Sequence, residues 1–165
     1  NKVEAEKELC RALGARKVIW LPGDPDKIEA DVTDGHVDGT ACFVRPGVVL
    51  FGSDPRAQGP LADLEKENRL ALERARDAAG RSLEILSLDH AWEAQTSEEL
   101  FCRSYVNFYI ANGGIVMPSY GIPGDKQAHE ILSRAFPKRE IVQVDIRDIA
   151  PGGGGIHCIT QQEPA

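Results

Sequence analysis

The sequence predicts an α/β fold built from repeated ββαβ units, about two of them complete, with partial units at both ends. Three observations predict it. Short apolar runs of strand type alternate with longer helical segments. The order strand, strand, helix, strand occurs twice. The second occurrence also matches the first in detail, Gly47-Val48-Val49-Leu50 aligning with Gly114-Ile115-Val116-Met117 and Leu88-Asp89 with Val144-Asp145. A repeat of about 60 residues marks units that bury a core only against their neighbours.

Residues Asn1 to Leu13 suit a helix, with Gly14 placed just past its end. Val18-Ile19-Trp20-Leu21 reads as a short buried strand, ended by the loop Pro22-Gly23-Asp24-Pro25-Asp26. Thr40 to Val44 and Val48 to Phe51, joined by Arg45-Pro46-Gly47, read as a hairpin. A helix begins near Pro60, carries Leu61, Leu64, Ala71, Leu72 and Ala75, and is closed by Gly80. Leu83 to Leu88 is the strand that follows. In the second unit, Ser104 to Ala111 and Ile115 to Pro118 flank the turn Asn112-Gly113-Gly114. A helix from about Asp125 stops at Phe136 before Pro137, and Ile141 to Val144 is the unit's last strand. Ile156 to Gln161 reads as the first strand of a further unit. The units therefore span roughly 36–89 and 103–145, with partial units at 1–21 and 155–161. On this reading the chain is part of a larger protein or assembly, with unpaired unit faces that favour self-association or a missing N-terminal half.

The 165 residues suffice for one domain or one large piece of a domain, and 42% hydrophobic with 27% charged residues is an ordinary soluble composition. With 19 basic against 26 acidic residues the net charge is −7, which argues against nucleic acid as a partner and tolerates a cationic small molecule best. No apolar run approaches the roughly 18 residues of a membrane span, and the charged first residues do not read as a signal peptide. Cys10, Cys42, Cys102 and Cys158 form no C-x-x-C pair, so no zinc site is expected and the thiols should stay reduced in the cytoplasm.

Two segments stand apart from the repeat. In Asp31-Val32-Thr33-Asp34-Gly35-His36-Val37-Asp38, an extended 36–38 would project His36 and Asp38 from one face, about 7 Å apart. That places a proton carrier beside an anion, although a polar loop capping a strand has the same pattern. In Pro151-Gly152-Gly153-Gly154-Gly155-Ile156-His157-Cys158, successive glycines mark a tight bend or a moving loop. A phosphate loop lacks its lysine and its following helix here. Cys158 is a candidate nucleophile, and a buried structural cysteine remains the other reading. An unassisted thiol is only a few per cent thiolate at pH 7, so a nucleophile needs a nearby cation or base.

Taken together, Thr33-Asp34-Gly35-His36-Val37-Asp38, then Asn112-Gly113-Gly114 with Met117-Pro118, then Gly152 to Gly155 running into Ile156-His157-Cys158-Ile159-Thr160-Gln161-Gln162, resemble the agmatine deiminase family and the related bacterial peptidyl-arginine deiminases. The resemblance covers essentially the whole chain and the C-terminal half of the family's sequence. It implies a partial pentein fold, a propeller of five ββαβ units around a central site. It also implies hydrolysis of agmatine to N-carbamoylputrescine and ammonia in polyamine and putrescine biosynthesis, through a covalent amidino-cysteine intermediate and without metal or cofactor. Carried over by motif, Cys158 attacks the guanidinium carbon, His36 is the general acid and base, and Asp38 binds the guanidinium nitrogens. The residue types suit the task, since a guanidinium is a permanently charged planar fork that a carboxylate matches. A bound cation beside a thiol also favours its thiolate.

The family's second guanidinium-binding carboxylate belongs to a motif in the absent half, and none of Asp24, Asp31 or Asp34 matches it. Free arginine or peptidyl-arginine are alternative substrates. A guanidinium-binding or structural pentein fragment without catalysis is the reading from another class, and a thiol protease fits the His-x-Asp clamp less well. Among the other residues, His157 would point away from Cys158 in an extended segment and is expected to be structural. Cys10, Cys42 and Cys102 are expected in the core, Trp20 and Trp92 in the core or an interface, and His90 and His129 in exposed stretches.

Overall fold

The computed structural model describes residues 1–23, 36–94, 96–98 and 100–163. Helix α1 (Lys2–Leu13) starts where the Asn1 side chain accepts the Glu4 N–H while Glu4 bonds back to the Asn1 backbone. It ends at Gly14, whose φ of 64° suits the left-handed cap that only glycine adopts without strain. Residues 18–21 form no strand, contrary to expectation. Ile19 and Leu21 are half-buried against the cluster of Val49, Phe51, Leu72 and Leu83, but the segment has no sheet partner among the described residues.

Residues 37–40 curl into a single helical turn, α2 (Val37–Thr40), before strand β1 (Ala41–Arg45). β1 pairs antiparallel with β2 (Val48–Ser53), with a bulge between Phe43 and Arg45. Helix α3 (Pro60–Arg74) begins with its proline in the first turn and buries Leu64, Asn68 and Leu72. It ends at Ala75 rather than Gly80. The chain leaves the helix because the Asp77 carboxylate captures the N–H groups of Ala79 (2.8 Å) and Arg81 (3.0 Å), forming a turn in which Gly80 sits. β3 (Glu84–Asp89) then lies parallel to β2.

In the second half, residues 104–108 are not strand, although Tyr105, Val106, Asn107 and Phe108 are all buried. The Ser104 hydroxyl accepts the Val106 N–H at 3.1 Å and the Asn107 N–H turns back to the Ser104 carbonyl at 3.3 Å, so the chain curls before extending. β4 (Tyr109–Ala111) and β5 (Gly114–Ser119) form the expected hairpin over Asn112-Gly113. Helix α4 (Gly124–Ala135) is anchored by Asp125, which accepts the Tyr120, Gly121 and Ile122 N–H groups and the Tyr105 hydroxyl. β6 (Glu140–Asp145) completes the second sheet, parallel to β5. Ile156 to Gln161 is not a strand either; residues His157–Ile159 form a short 3-10 turn.

The result is an α/β fold of two three-stranded mixed sheets, ordered β1-β2-β3 and β4-β5-β6. Their registers repeat: Val48 faces Glu84 and Ser53 faces Asp89, as Gly114 faces Glu140 and Ser119 faces Asp145. Flanking bonds recur too, Glu84 N–H to Gly47 O (2.8 Å) answering Glu140 N–H to Gly113 O (3.0 Å). One core joins the halves, Leu50 and Leu88 of the first sheet packing with Ile115, Met117 and Leu132 of the second unit. On the edge strand β6, Val142 and Val144 remain 46% and 38% exposed. No helix among the described residues is long and apolar enough to cross a membrane.

His90 departs from its expected exposure. Its ring lies against Gly52 and edge-on to Trp92 at 6.1 Å, and Nδ1 is buried without a hydrogen-bond partner among the described residues. Burial pushes its pKa down to about 4, against the opposing pull of the Asp54 charge. A folded pKa below the unfolded one gives stability that is present above about pH 6.5 and lost as pH falls toward 4. The loss should approach ~3 kcal/mol, at 1.36 kcal/mol per pH unit. Urea unfolding of the chain at pH 7 and pH 4, set against His90→Gln, should show a shallower pH dependence in the variant; identical slopes would remove His90 from the account.

Candidate active site

The α2 turn is fastened from below. Ser104 donates its hydroxyl to the Gly39 carbonyl at 2.7 Å, and the Asn107 amide reaches the Asp38 carbonyl at 3.5 Å. His36 is extended at the mouth of the turn while Asp38 lies within it, so the two are not on one face of a strand as expected. The turn nonetheless brings His36 Nδ1 to 3.8 Å from Asp38 Oδ1. Asp24, Asp31 and Asp34, with Thr33 and Gly35 of the Thr33-to-Asp38 motif, lie outside the described residues.

The glycine-rich segment approaches the same turn from the other end of the chain. Its glycines have a specific steric use. A Cβ on Gly155 would stand 2.7 Å from Asn107 Oδ1, closer than side chains tolerate, and one on Gly154 would stand 3.0 Å from the Cys158 Cβ, a tight contact that the thiol turn would have to yield to. The backbone can thus lie directly on the thiol and on Asn107. The 3-10 turn is closed by Thr160, which bonds the His157 carbonyl through its N–H (3.1 Å) and its hydroxyl (2.9 Å).

Successive side chains in a 3-10 turn diverge by about 120° rather than the 180° of a strand. Both His157 and Cys158 therefore reach Asp38, correcting the expectation that His157 points away. His157 Nδ1 lies 2.7 Å from Asp38 Oδ2, and the Cys158 sulfur lies 3.7 Å from the same oxygen. Asp38 is the hub: the carboxylate faces one thiol and two imidazoles, with its side chain 22% exposed. The sequence-predicted His36, Asp38 and Cys158 all meet there. His157 and Asn107 were missed. An Asn inside the buried run Tyr105-Val106-Asn107-Phe108 is the signal that could have singled out the second, since a polar side chain in such a run must find partners.

The thiols are not alike. Cys158 is exposed, whereas Cys10, Cys42 and Cys102 are half-buried; Cys42 and Cys102 pack against the core, and Cys10 rides on α1, which buries none of its residues. Burial, then the Asp38 charge, pushes the Cys42 thiol up to about 11, and burial raises Cys102 as well. Two cavities, of about 180 Å³ around His90 and Trp92 and about 430 Å³ around Phe43 and Arg81, contain none of the Asp38 cluster. With His36 at 53% and His157 at 43% exposure, the cluster stands on an open face. Among the described residues no group of His, Cys, Asp and Glu is arranged to hold a metal ion.

The family described as Porphyromonas-type peptidyl-arginine deiminase matches residues 1–164. The chain belongs to that family. Its match to the deiminase family takes in both the α2 turn and the glycine-rich segment, so it does not rest on one motif. Agmatine deiminase of Stutzerimonas stutzeri is 39% identical over 183 aligned positions, taking in 100% of this chain and 49% of the relative. Agmatine deiminase of Medicago truncatula is 38% identical, with the same shares. The solved structure described as agmatine deiminase of Enterococcus faecalis catalysing its reaction superposes with a TM-score of 0.85 at 33% identity, over 99% of this chain and 49% of that one. The chain thus spans about half the length of the curated relatives it matches.

Proposed function

We propose that this chain is the thiol-bearing half of a cytoplasmic agmatine deiminase-like hydrolase, which converts agmatine and water into N-carbamoylputrescine and ammonia. The Asp38 carboxylate, standing within 3.7 Å of an exposed thiol, is the observation that carries the reading. A carboxylate there draws in a planar cation and leaves its carbon beside the sulfur. In the proposed sequence Cys158 sulfur attacks the guanidinium carbon, and the bond to one terminal nitrogen breaks as His36 supplies the proton that releases ammonia. His36 then takes a proton from water, the water oxygen bonds to the same carbon, and the sulfur leaves with the urea group formed. No step needs a cofactor. The architecture proposed with it is a partial pentein propeller, with units 36–89 and 103–145 and partial units 1–21 and 155–161, supported by the repeated sheet registers. The open face of the Asp38 cluster favours a second reading, a guanidinium-binding fragment that is catalytically incomplete without a covering partner.

The pair on the α2 turn separates binding from chemistry. With this chain reconstituted with the N-terminal half of a relative, Asp38→Asn should weaken agmatine binding by about 100-fold, because a carboxylate bonded to a cation contributes ~1.5–3 kcal/mol. His36→Ala should leave binding within a few-fold and lower kcat by about 10²–10⁴-fold. Calorimetric titration beside an ammonia-release assay checks both. Binding lost in His36→Ala and kept in Asp38→Asn would reverse the roles.

A further inference from the structure

We infer that Asn107 is the positioning residue for Cys158, clamping the backbone that carries the thiol and directing an amide N–H at its sulfur. The inference rests on the reading of Cys158 as nucleophile and adds a residue to it. Asn107 is 2% exposed, in the curl before β4, and its one amide serves both segments of the site. Its Oδ1 accepts the His157 N–H at 3.0 Å and the Cys158 N–H at 3.4 Å, and its main-chain carbonyl accepts the His157 N–H at 3.1 Å. Two backbone donors on Oδ1 decide the orientation of the amide, so the other end must be the NH₂. That NH₂ lies 3.3 Å from the Cys158 sulfur and 3.5 Å from the Asp38 carbonyl, while the protonated thiol can itself donate to Oδ1 at 3.5 Å.

The amide therefore ties the thiol turn to the carboxylate turn from beneath, across 51 residues on one side and 69 on the other. The absent side chain of Gly155 completes the arrangement, because a Cβ there would displace the Asn107 oxygen. A sulfur that attacks carbon carries negative charge before the bond forms, and a fixed N–H directed at it stabilises that charge without reorganising.

Two variants separate this role from ordinary core packing. Asn107→Asp keeps the shape and the acceptor for both backbone N–H groups but replaces the donor facing sulfur by an anion. Asn107→Leu keeps the volume and loses both functions. In the purified 165-residue chain, iodoacetamide labelling at pH 8 is followed thiol by thiol by peptide mass spectrometry, beside hydrogen exchange of the 157 and 158 amides. Asn107→Asp should slow Cys158 labelling about tenfold, leave Cys42 and Cys102 at their unsubstituted rates, and keep both amides protected. Asn107→Leu should lose that protection by tenfold or more. Fast labelling of Cys42 and Cys102 would report unfolding in the leucine variant, and the aspartate variant then decides alone. Unchanged Cys158 labelling in Asn107→Asp overturns the inference, as does unchanged amide exchange in a folded Asn107→Leu. Labelling needs no substrate, so turnover that survives Cys158→Ser would defeat the nucleophile reading without touching this result.

Discussion

Cys158→Ser should abolish agmatine turnover, by about 10⁴-fold or more, in the chain reconstituted with the N-terminal half of a relative. A serine hydroxyl is far less acidic than a thiol and far weaker as a nucleophile, and it has no adjacent base tuned to activate it. The fold should not respond. Cys158 is exposed, and the hydrogen-bond partners of its sulfur among the described residues are the Asn107 amide and Asp38. The loss should therefore appear in kcat with thermal unfolding unchanged. Acid-quenching the unsubstituted enzyme during turnover should reveal a peptide carrying Cys158 with the added mass of agmatine less ammonia. An adduct on Cys10, Cys42 or Cys102, or turnover retained in the serine variant, would move the nucleophile elsewhere.

The repeat was legible in the sequence because it is written in backbone terms. Apolar runs bounded by Gly and Pro locate β2, β3, β5 and β6, and Asn112-Gly113 fixes a hairpin regardless of what surrounds it. The misreadings share a cause. Residues 18–21, 104–108 and 156–161 all carry strand-like apolar residues, but a strand exists only with a partner, and pattern alone cannot supply one. In 104–108 the Ser104 hydroxyl offered the backbone a local alternative, and in 156–161 Thr160 did the same.

That second misreading hid half of the candidate site. His36, Asp38 and Cys158 were visible as types and motifs, yet their meeting depends on contacts across 120 residues that no spacing rule contains. Assigning 156–161 to a strand turned His157 to the wrong side, and the 3-10 turn returns it to Asp38. In the sequence the glycines mark a tight bend or a moving loop, while in the structure two of them serve close approach to Asn107 and the thiol. Asn107 itself has no motif. It is recognisable only by its being polar where Tyr105, Val106 and Phe108 are buried.

The isolated chain should show no agmatine turnover above about one thousandth of that of the reconstituted pair. The Asp38 cluster stands on an open face, so water competes with every contact a cation would make there. Oriented charges act strongly only where water is excluded, and the loss of that exclusion together with a second carboxylate corresponds to several kcal/mol, about 10³–10⁴ in rate. The sheets point the same way. Val142 and Val144 leave apolar surface on β6, and Val3 and Leu13 do so on α1. Units of a repeat bury such faces against neighbours, so the chain should self-associate at micromolar concentration or bind an N-terminal half in preference. Sedimentation of residues 1–165 alone and with the N-terminal half of a relative, with ammonia release measured on each, tests both parts. A 1:1 complex that restores turnover supports the division of the site between two halves. A stable monomer turning over agmatine at the rate of a full-length relative would show that this chain holds every group the reaction needs, and would send the search for the second carboxylate to Asp24, Asp31 and Asp34.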